Sequence, residues 1–240
     1  MMKGRAVIKG IIFDKDGTLF DFNATWGAWT RGMLESEAGH DPALFARLAD
    51  VLGYDVPAAT FRPQSIVIAS TAGEVAETIR SVLPDLDADA LLSRMNAAAA
   101  AVTQVEAVPL QGYFAGLRAA GLRLGIATND AEAPARAHLA RAGVTQHFDF
   151  IAGYDSGHGG KPAPGQLLAF CAETGLGAEQ CVMVGDSTHD LHAGRAAGMR
   201  TVGVLTGPAP REELSPLADV VLSSIGDIPA WLRSERLLAE

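Results

Sequence analysis

The chain has 240 residues, 48% of them hydrophobic, which is enough to bury a substantial core in one domain or in one domain with an insertion. Its 28 acidic residues outnumber the 19 basic ones, and the net charge of −9 argues against binding to nucleic acid or to an acidic membrane surface. No apolar run reaches the roughly 18 residues that a membrane-spanning helix requires.

The cysteines and the first residues bear on the cellular compartment. Cys171 and Cys181 lie in apolar runs, which is typical of buried thiols in a reducing environment rather than of a disulfide. Residues 1–10 include basic side chains but no apolar stretch followed by a small-residue cleavage site. We therefore expect a cytoplasmic protein that binds neither membrane nor nucleic acid, as a monomer or a homodimer.

Six short runs with apolar residues at nearly every position are predicted strands covered on both faces. They are Lys9–Phe13, Arg123–Ala127, Phe148–Ala152, Cys181–Val184, Thr201–Leu205 and Val220–Leu222. Helical patterns that each end at a glycine lie between them, namely Tyr113–Ala120, Ala133–Ala142, Pro164–Thr174 and Asp190–Ala197. This alternation predicts an α/β fold, a Rossmann-like parallel sheet with helices on both faces.

Residues 22–108 have a different character, because they are alanine-rich and show helical periodicity. We predict an inserted, all-helical domain of about four helices after the first strand, in which Ser65–Ala69 is the one ambiguous run. The catalytic core would then comprise residues 1–21 and 109–240.

Asp14 follows the first predicted strand, and Asp16 lies two residues further on, where the chain turns at Gly17. A carboxylate can attack phosphorus when a cation shields the repulsion between two anions, and Mg²⁺ prefers such oxygen ligands. A second carboxyl group nearby can protonate a leaving group and later deprotonate water. A plain surface turn or part of a calcium loop is the alternative interpretation of this short motif.

Thr128 and Asn129 follow the second predicted core strand, and Lys161 stands between two glycines and a proline. The threonine, the amide and the lysine can each contact phosphoryl oxygens, and the lysine can also pair with a nucleophilic carboxylate. The alternatives are an N-cap for the next helix and an ordinary surface loop. The chain has only four lysines, Lys3, Lys9, Lys15 and Lys161.

Asp186 and Asp190 frame the turn after the fourth predicted core strand. Ligands of parallel sheets gather at the carboxyl ends of the strands, where Asp14 and Asp186 would meet and could share a metal ion. Asp190 could orient Lys161 or cap the helix that it begins.

In combination, these motifs resemble the haloacid dehalogenase-like hydrolase superfamily along essentially the whole chain. The motifs are Asp-x-Asp-Gly-Thr at 14–18, Thr128 at a strand end, Lys161-Pro162, and Gly-Asp-x-x-x-Asp at 185–190. The inserted helices resemble the cap of its helical-cap subfamily, and the chain is most similar to phosphoglycolate phosphatase-like enzymes.

The resemblance implies a role for each residue. Asp14 would be the nucleophile and a Mg²⁺ ligand, and Asp16 would be the general acid and base and would bind the metal through its backbone carbonyl. Thr128 and Lys161 would hold the phosphoryl group. Asp186 would supply the remaining carboxylate to the metal.

The function implied is a Mg²⁺-dependent phosphatase for a small phosphorylated metabolite, with phosphoglycolate as the leading candidate. Asp16 favours a phosphatase over a dehalogenase, which has no leaving group to protonate. No lysine lies between Lys15 and Lys161, which argues against phosphonate hydrolysis through a cap lysine. A sugar-phosphate mutase stays open because the core machinery is shared. A non-catalytic phospho-aspartate protein fits less well, since receivers form a single smaller domain.

Two departures from the family pattern, Lys15 and Phe22, concern the substrate rather than the activity. We expect Lys15 to lay its aliphatic stem against the insertion without a chemical role, and Trp26 and Trp29 to anchor the packing of the inserted helices. A cap arginine could pair with a substrate carboxylate, and the candidates are Arg31, Arg47, Arg62, Arg80 and Arg94.

Overall fold

The structure is a computed structural model that describes residues 6–62, 64–68 and 70–238. Parts of the sequence predictions therefore lie outside the described residues. These are the ends of the predicted core at 1–5, which include Lys3, and at 239–240, and Ala69 of the ambiguous run.

Six parallel strands form the central sheet, and their bounds are Gly10–Phe13 (β1), Arg123–Ala127 (β4), Phe150–Ala152 (β5), Cys181–Gly185 (β6), Arg200–Val204 (β7) and Val220–Leu222 (β8). They lie side by side in the order β5-β4-β1-β6-β7-β8. All six predicted strands are present, with small shifts at their ends. Because β1 lies between β4 and β6 and is parallel to both, the carboxyl ends of these three strands lie at the same edge of the sheet.

Helices connect the strands and cover the sheet. They are Leu110–Ala119 (α5), Glu132–Arg141 (α6), Gly165–Thr174 (α7), Thr188–Ala197 (α8), Arg211–Leu214 (α9) and Ile228–Ser234 (α10), with single 3₁₀ turns at Thr145–His147, Ala178–Gln180 and Ile225–Asp227. Gly175 and Gly198 end α7 and α8 in the left-handed conformation, with φ of 69° and 80°. Helix α8 begins two residues before the predicted start, because Ser187 is its N-cap and Asp190 lies in its first turn.

The insertion contains the four predicted α-helices, Phe22–Ala38 (α1), Pro42–Val51 (α2), Ala72–Arg80 (α3) and Ala88–Ala101 (α4). The ambiguous run forms a 3₁₀ turn at Ile66–Ile68. The expected all-helical cap needs one correction, since Tyr54–Asp55 (β2) and Thr60–Phe61 (β3) pair as antiparallel strands. Two residues per strand are too few to produce an alternating pattern in the sequence, and this pair is instead held by tertiary contacts such as Tyr54 Oη donating to the Gly27 carbonyl at 2.9 Å.

The cap has its own hydrophobic cluster, which includes Leu34, Leu48 and Ile79 and is separate from the clusters that cover the sheet. The two chain segments that join cap and core run side by side, with the Asp21 N–H donating to the Val105 carbonyl at 2.9 Å and the Ala107 N–H donating to the Leu19 carbonyl at 2.8 Å. The division of the chain at 21 and 108 nevertheless stays a prediction.

None of the helices in the described part of the chain combines the length and the apolar character that crossing a bilayer requires.

Candidate active site

Three carboxyl groups converge at the carboxyl edge of the sheet. Asp14 follows β1 and its N–H donates to the Val184 carbonyl at 2.8 Å, so its backbone is part of the sheet. Asp186 follows the neighbouring strand β6, and Asp190 lies in the first turn of α8. One carboxylate oxygen of each residue lies within 4.8 Å of those of the other two, and all three residues are buried. The predicted meeting of Asp14 and Asp186 is therefore present in the structure.

Lys161 lies among these carboxylates. Its Nζ donates to Asp14 Oδ1 and to Asp190 Oδ1, each at 2.6 Å. Asn129 holds the backbone of the lysine at both ends, since its Nδ2 donates to the Lys161 carbonyl at 2.9 Å and its Oδ1 accepts the Lys161 N–H at 2.8 Å. A surface-loop role for Lys161 is thus wrong, and Asn129 contacts the backbone of the lysine.

Asp190 combines the two roles that its sequence position left open. Its Oδ2 accepts the Ser187 N–H at 3.0 Å and the Ser187 hydroxyl at 2.8 Å, which caps α8. Its Oδ1 is taken by Lys161. Because both oxygens already have donors, Asp190 is better suited to orienting the lysine than to binding a metal.

The charges of these groups depend on each other. Burial raises the pKa of Asp14 to about 7, while Lys161 acts to lower it. Burial and the neighbouring Asp14 hold the pKa of Asp186 well above its ordinary value. Burial alone would lower the pKa of Lys161, but Asp14 and Asp190 raise it above the usual range, so that the lysine stays charged. An additional cation at this position would favour the ionised carboxylates.

The surroundings of Asp186 suit such a cation. A Cβ on Gly17 would lie 2.2 Å from Asp186 Oδ2, and one on Gly207 would lie 1.7 Å from the same atom, so a side chain at either position would collide with this carboxylate. Carboxylate oxygens from Asp14 and Asp186 are donors that Mg²⁺ accepts. The residues present therefore fit a hard divalent ion.

Asp16 belongs to a second buried network, in which the structure corrects the expectation for Lys15. The Lys15 side chain is fully buried, and its Nζ lies 2.5 Å from Asp16 Oδ2 and 3.3 Å from Asp130 Oδ2. It also lies 5.6 Å from the centre of the Trp26 ring. Asp16 lines the cavity, and its Oδ1 is buried without a hydrogen-bond partner among the described residues. Lys15 is thus in contact with the predicted acid and base.

His138 on α6 completes this network. Its Nε2 donates to the Ala99 carbonyl at 2.8 Å, which leaves Nδ1 to accept from Lys15 at 3.1 Å and from Gln104 at 3.0 Å. Burial, followed by the nearby charge of Lys15, lowers the pKa of His138 to about 4. Ala99 and Gln104 belong to the cap side, so this neutral histidine links core and cap. In the sequence, the one feature that indicated this network was Lys15, a charged residue directly between Asp14 and Asp16.

Thr128 and Asp130 follow β4. Thr128 is buried beside the cavity, and its Oγ1 accepts the Asp130 N–H at 3.0 Å. Helix α6 starts at Glu132 with Ala131 as its N-cap, so the alternative role of Thr128 as a helix cap is wrong. Burial raises the pKa of Asp130 to about 6, although the nearby charge of Lys15 acts to lower it.

A cavity lies between this charged edge and the cap. The core contributes the aspartates, Thr128 and Lys161. The opposite side, here called the apolar wall, is formed by cap residues that include Phe22, Trp26, Trp29, Ile68, Val75 and Met95. The Trp26 and Trp29 rings meet edge to face, with centres 5.2 Å apart and planes at 88°. The two tryptophans thus border the cavity as well as packing within the cap.

Comparison with known proteins gives consistent results. A family model described as haloacid dehalogenase-like hydrolase matches residues 8–198. The chain is 32% identical to a phosphoglycolate phosphatase of Agrobacterium fabrum over 92% of this chain and 91% of that protein. It is 31% identical to a phosphoglycolate phosphatase of Xylella fastidiosa over 88% and 86% of the two chains. The solved structure of a β-phosphoglucomutase from Clostridium difficile has the same fold, with a TM-score of 0.68 at 17% identity over 96% of this chain and 97% of that one.

Proposed function

Because the chain belongs to the haloacid dehalogenase-like hydrolases and is a phosphatase of that family, we propose that it is a Mg²⁺-dependent enzyme that hydrolyses a small organic phosphate monoester through an aspartyl-phosphate. It would act in the cytoplasm, as a monomer or a homodimer. Phosphoglycolate, the substrate named for the two relatives above, is the first compound to test.

Asp14 is the nucleophile in this proposal. One of its oxygens attacks phosphorus, the bond between phosphorus and the ester oxygen breaks, and Asp16 gives its proton to the departing alcohol. Asp16 then takes a proton from water, which attacks the phosphorus of the aspartyl-phosphate and releases inorganic phosphate and the free Asp14 carboxylate. Lys161 and Thr128 hold the phosphoryl oxygens during both steps.

Asp14 and Asp186 would hold Mg²⁺, with the Asp16 backbone carbonyl as a further ligand. When bound, the ion offsets the negative charge of the phosphoryl group and of the carboxylates. Asp190 keeps Lys161 aimed at Asp14 through the 2.6 Å contact.

The observation that carries the proposal is the placement of Asp14. Its backbone is bonded to the sheet, its side chain pairs with Lys161 at 2.6 Å, and it borders a cavity that also holds Asp16. Two carboxyl groups and an ammonium group therefore surround one space, which supports the roles proposed for them.

Substituting Asp14→Asn tests the mechanism. We expect loss of phosphate release by at least about 10³-fold, because the amide has no charge with which to attack phosphorus. Rapid quenching followed by mass spectrometry should find a phosphoryl group on Asp14 of the native enzyme and none at position 14 of the Asp14→Asn variant. Asp85→Asn, on the exposed cap surface, is the matched control. Full turnover by the Asp14→Asn variant would contradict the covalent mechanism.

Removal of metal tests the predicted cofactor. EDTA should abolish turnover and Mg²⁺ should restore it, since the buried carboxylates need a cation to ionise together. Mg²⁺ should also raise the unfolding temperature of the native protein but not that of Asp186→Asn. Undiminished turnover in EDTA would argue against the proposed site.

The mutase alternative from the sequence can be separated in the same assays. Likeness in fold to a phosphoglucomutase does not distinguish transfer to a sugar from transfer to water. Incubation with a hexose phosphate should yield free phosphate and no isomer if the proposal is right.

A further inference from the structure

The arginines of the cap do not reach the cavity. Four of them pair with acidic side chains elsewhere on the cap, and Arg47 is exposed. The pairs are Arg31–Glu35 at 3.0 Å, Arg62–Asp50 at 2.9 Å, Arg80–Glu77 at 3.0 Å and Arg94–Glu37 at 2.8 Å. Among the described residues, no cap cation lines the space beside Asp14, so the expected arginine partner for a substrate carboxylate is missing there.

The core side offers little charge for a second anionic group either. Five aspartates border the cavity, namely Asp14, Asp16, Asp130, Asp186 and Asp190. Lys161 is already paired with two of them, and His189 is the one other basic residue among the described lining residues. A substrate carboxylate would be taken out of water next to like charges, which is unfavourable without a partner.

The start of helix α3, which contributes Ala72 to the cavity lining, already has an acidic side chain at its first turn. Glu74 Oε2 accepts the Thr71 N–H at 2.7 Å and the Thr71 hydroxyl at 2.9 Å. The positive end of the helix dipole is therefore offset by Glu74 and is a poor site for another anion.

The apolar wall instead presents aromatic rings and aliphatic chains to the substrate. Two residues of the cavity lining, Trp29 and Asn96, each have a buried polar atom without a hydrogen-bond partner among the described residues. These atoms are Trp29 Nε1 and Asn96 Oδ1. Both belong to neutral groups, so they can meet a hydroxyl or a carbonyl but cannot balance a charge.

We infer that this cavity selects a phosphate monoester whose organic group is uncharged and largely apolar, in preference to one that carries a carboxylate. The inference rests on the proposed phosphatase function and concerns the part of the substrate beyond the phosphoryl group. It assigns the apolar wall as the surface that contacts this part, because burying apolar area there is favourable without any further charge.

The purified full chain with Mg²⁺ should be assayed on benzyl phosphate and on phosphoglycolate. We expect kcat/KM to be higher for benzyl phosphate by at least about tenfold. Equal or faster turnover of phosphoglycolate would overturn the inference and leave the phosphatase function intact. Failure to release phosphate from either ester, or from a wider panel of monoesters, would contradict the proposed function itself.

Substituting Ile68→Arg adds the cation that the apolar wall lacks. Ile68 lies in a 3₁₀ turn and is half-buried, so a longer side chain can be accommodated there. We expect the ratio of kcat/KM for phosphoglycolate over benzyl phosphate to rise by about tenfold or more. Ile68→Met is the matched variant, similar in length but uncharged, and should leave phosphoglycolate the poorer of the two substrates. A ratio that is the same in Ile68→Arg and Ile68→Met would count against the assignment of the apolar wall.

Discussion

The two sides of the cavity differ in how they are built. On the core side, polar groups follow strand ends, and each is positioned by further bonds, as with Asp190 between Ser187 and Lys161. On the cap side, aromatic and aliphatic residues come from separate helices and a 3₁₀ turn, and the arginines point elsewhere. The comparison teaches that groups suited to phosphoryl chemistry are concentrated on the sheet, while the proposed contacts to the rest of the substrate would depend on the insertion.

The largest effect should come from the core side, through Lys161→Met. Loss of the ammonium leaves Asp14 and Asp190 without their shared partner and removes the cation proposed to hold the phosphoryl group, so kcat should fall by about 10³-fold. The measurement is steady-state kcat together with circular dichroism to verify the fold.

Lys9→Met is the matched control, because Lys9 is exposed and should tolerate the change. If Lys161→Met kept more than a tenth of the native kcat, the contrast between a charged reacting side and a neutral binding side would be lost.

A smaller and more selective effect is expected for Lys15→Met, which removes the partner of Asp16. If Lys15 keeps Asp16 in place for protonating the leaving group, kcat/KM should fall by about 10²-fold for benzyl phosphate, whose leaving group is a poorly stabilised alkoxide. For 4-nitrophenyl phosphate, whose leaving group is a stabilised phenolate, kcat/KM should fall by less than about tenfold.

The two esters share an aromatic ring, so binding to the apolar wall is nearly constant between them. Asp16→Asn should show the same dependence on the leaving group. An equal loss on both esters would mean that Lys15 supports the fold only, because a general packing defect does not discriminate between leaving groups.

The smallest effect concerns the link between core and cap, tested by His138→Gln. The folded state holds His138 neutral with a pKa of about 4, whereas an unfolded histidine titrates near its ordinary value of 6.5. Between these values the unfolded chain binds more protons, so stability falls as the pH decreases. From about pH 7 to about pH 5, this residue should account for a loss of about 2 kcal/mol in the free energy of unfolding.

Urea unfolding at several pH values gives the measurement, and the difference between the native protein and His138→Gln isolates the histidine. The subtraction is needed because Asp130, with a pKa raised to about 6, changes stability in the opposite direction over part of this range. Parallel curves for the two proteins would show that His138 does not contribute.

Much of the core side was predictable from the sequence. Asp14, Thr128 and Asp186 each follow an apolar run that the structure has as a parallel strand, and Lys161 stands out in a chain with few lysines. The predicted strands agree with the observed ones within a few residues. The chemical roles of these four residues stay predictions until the variants are measured.

The cap side was less predictable. Its four helices were expected, but the β2–β3 pair was not, and the arginines gave no indication of which face they occupy. The contacts of Lys15 were also missed, because its partners Asp130 and His138 are more than a hundred residues away along the chain.

The sequence by itself determined that acidic and basic residues would gather at one edge of a parallel sheet, because strand polarity brings residues that follow different strands to the same place. Only the tertiary structure decided what faces them. Helices of the insertion can rotate and pack in several ways with the same hydrophobic pattern. The arrangement adopted places Trp29 and Ile68 at the cavity that the core aspartates line, and it pairs Arg94 with Glu37.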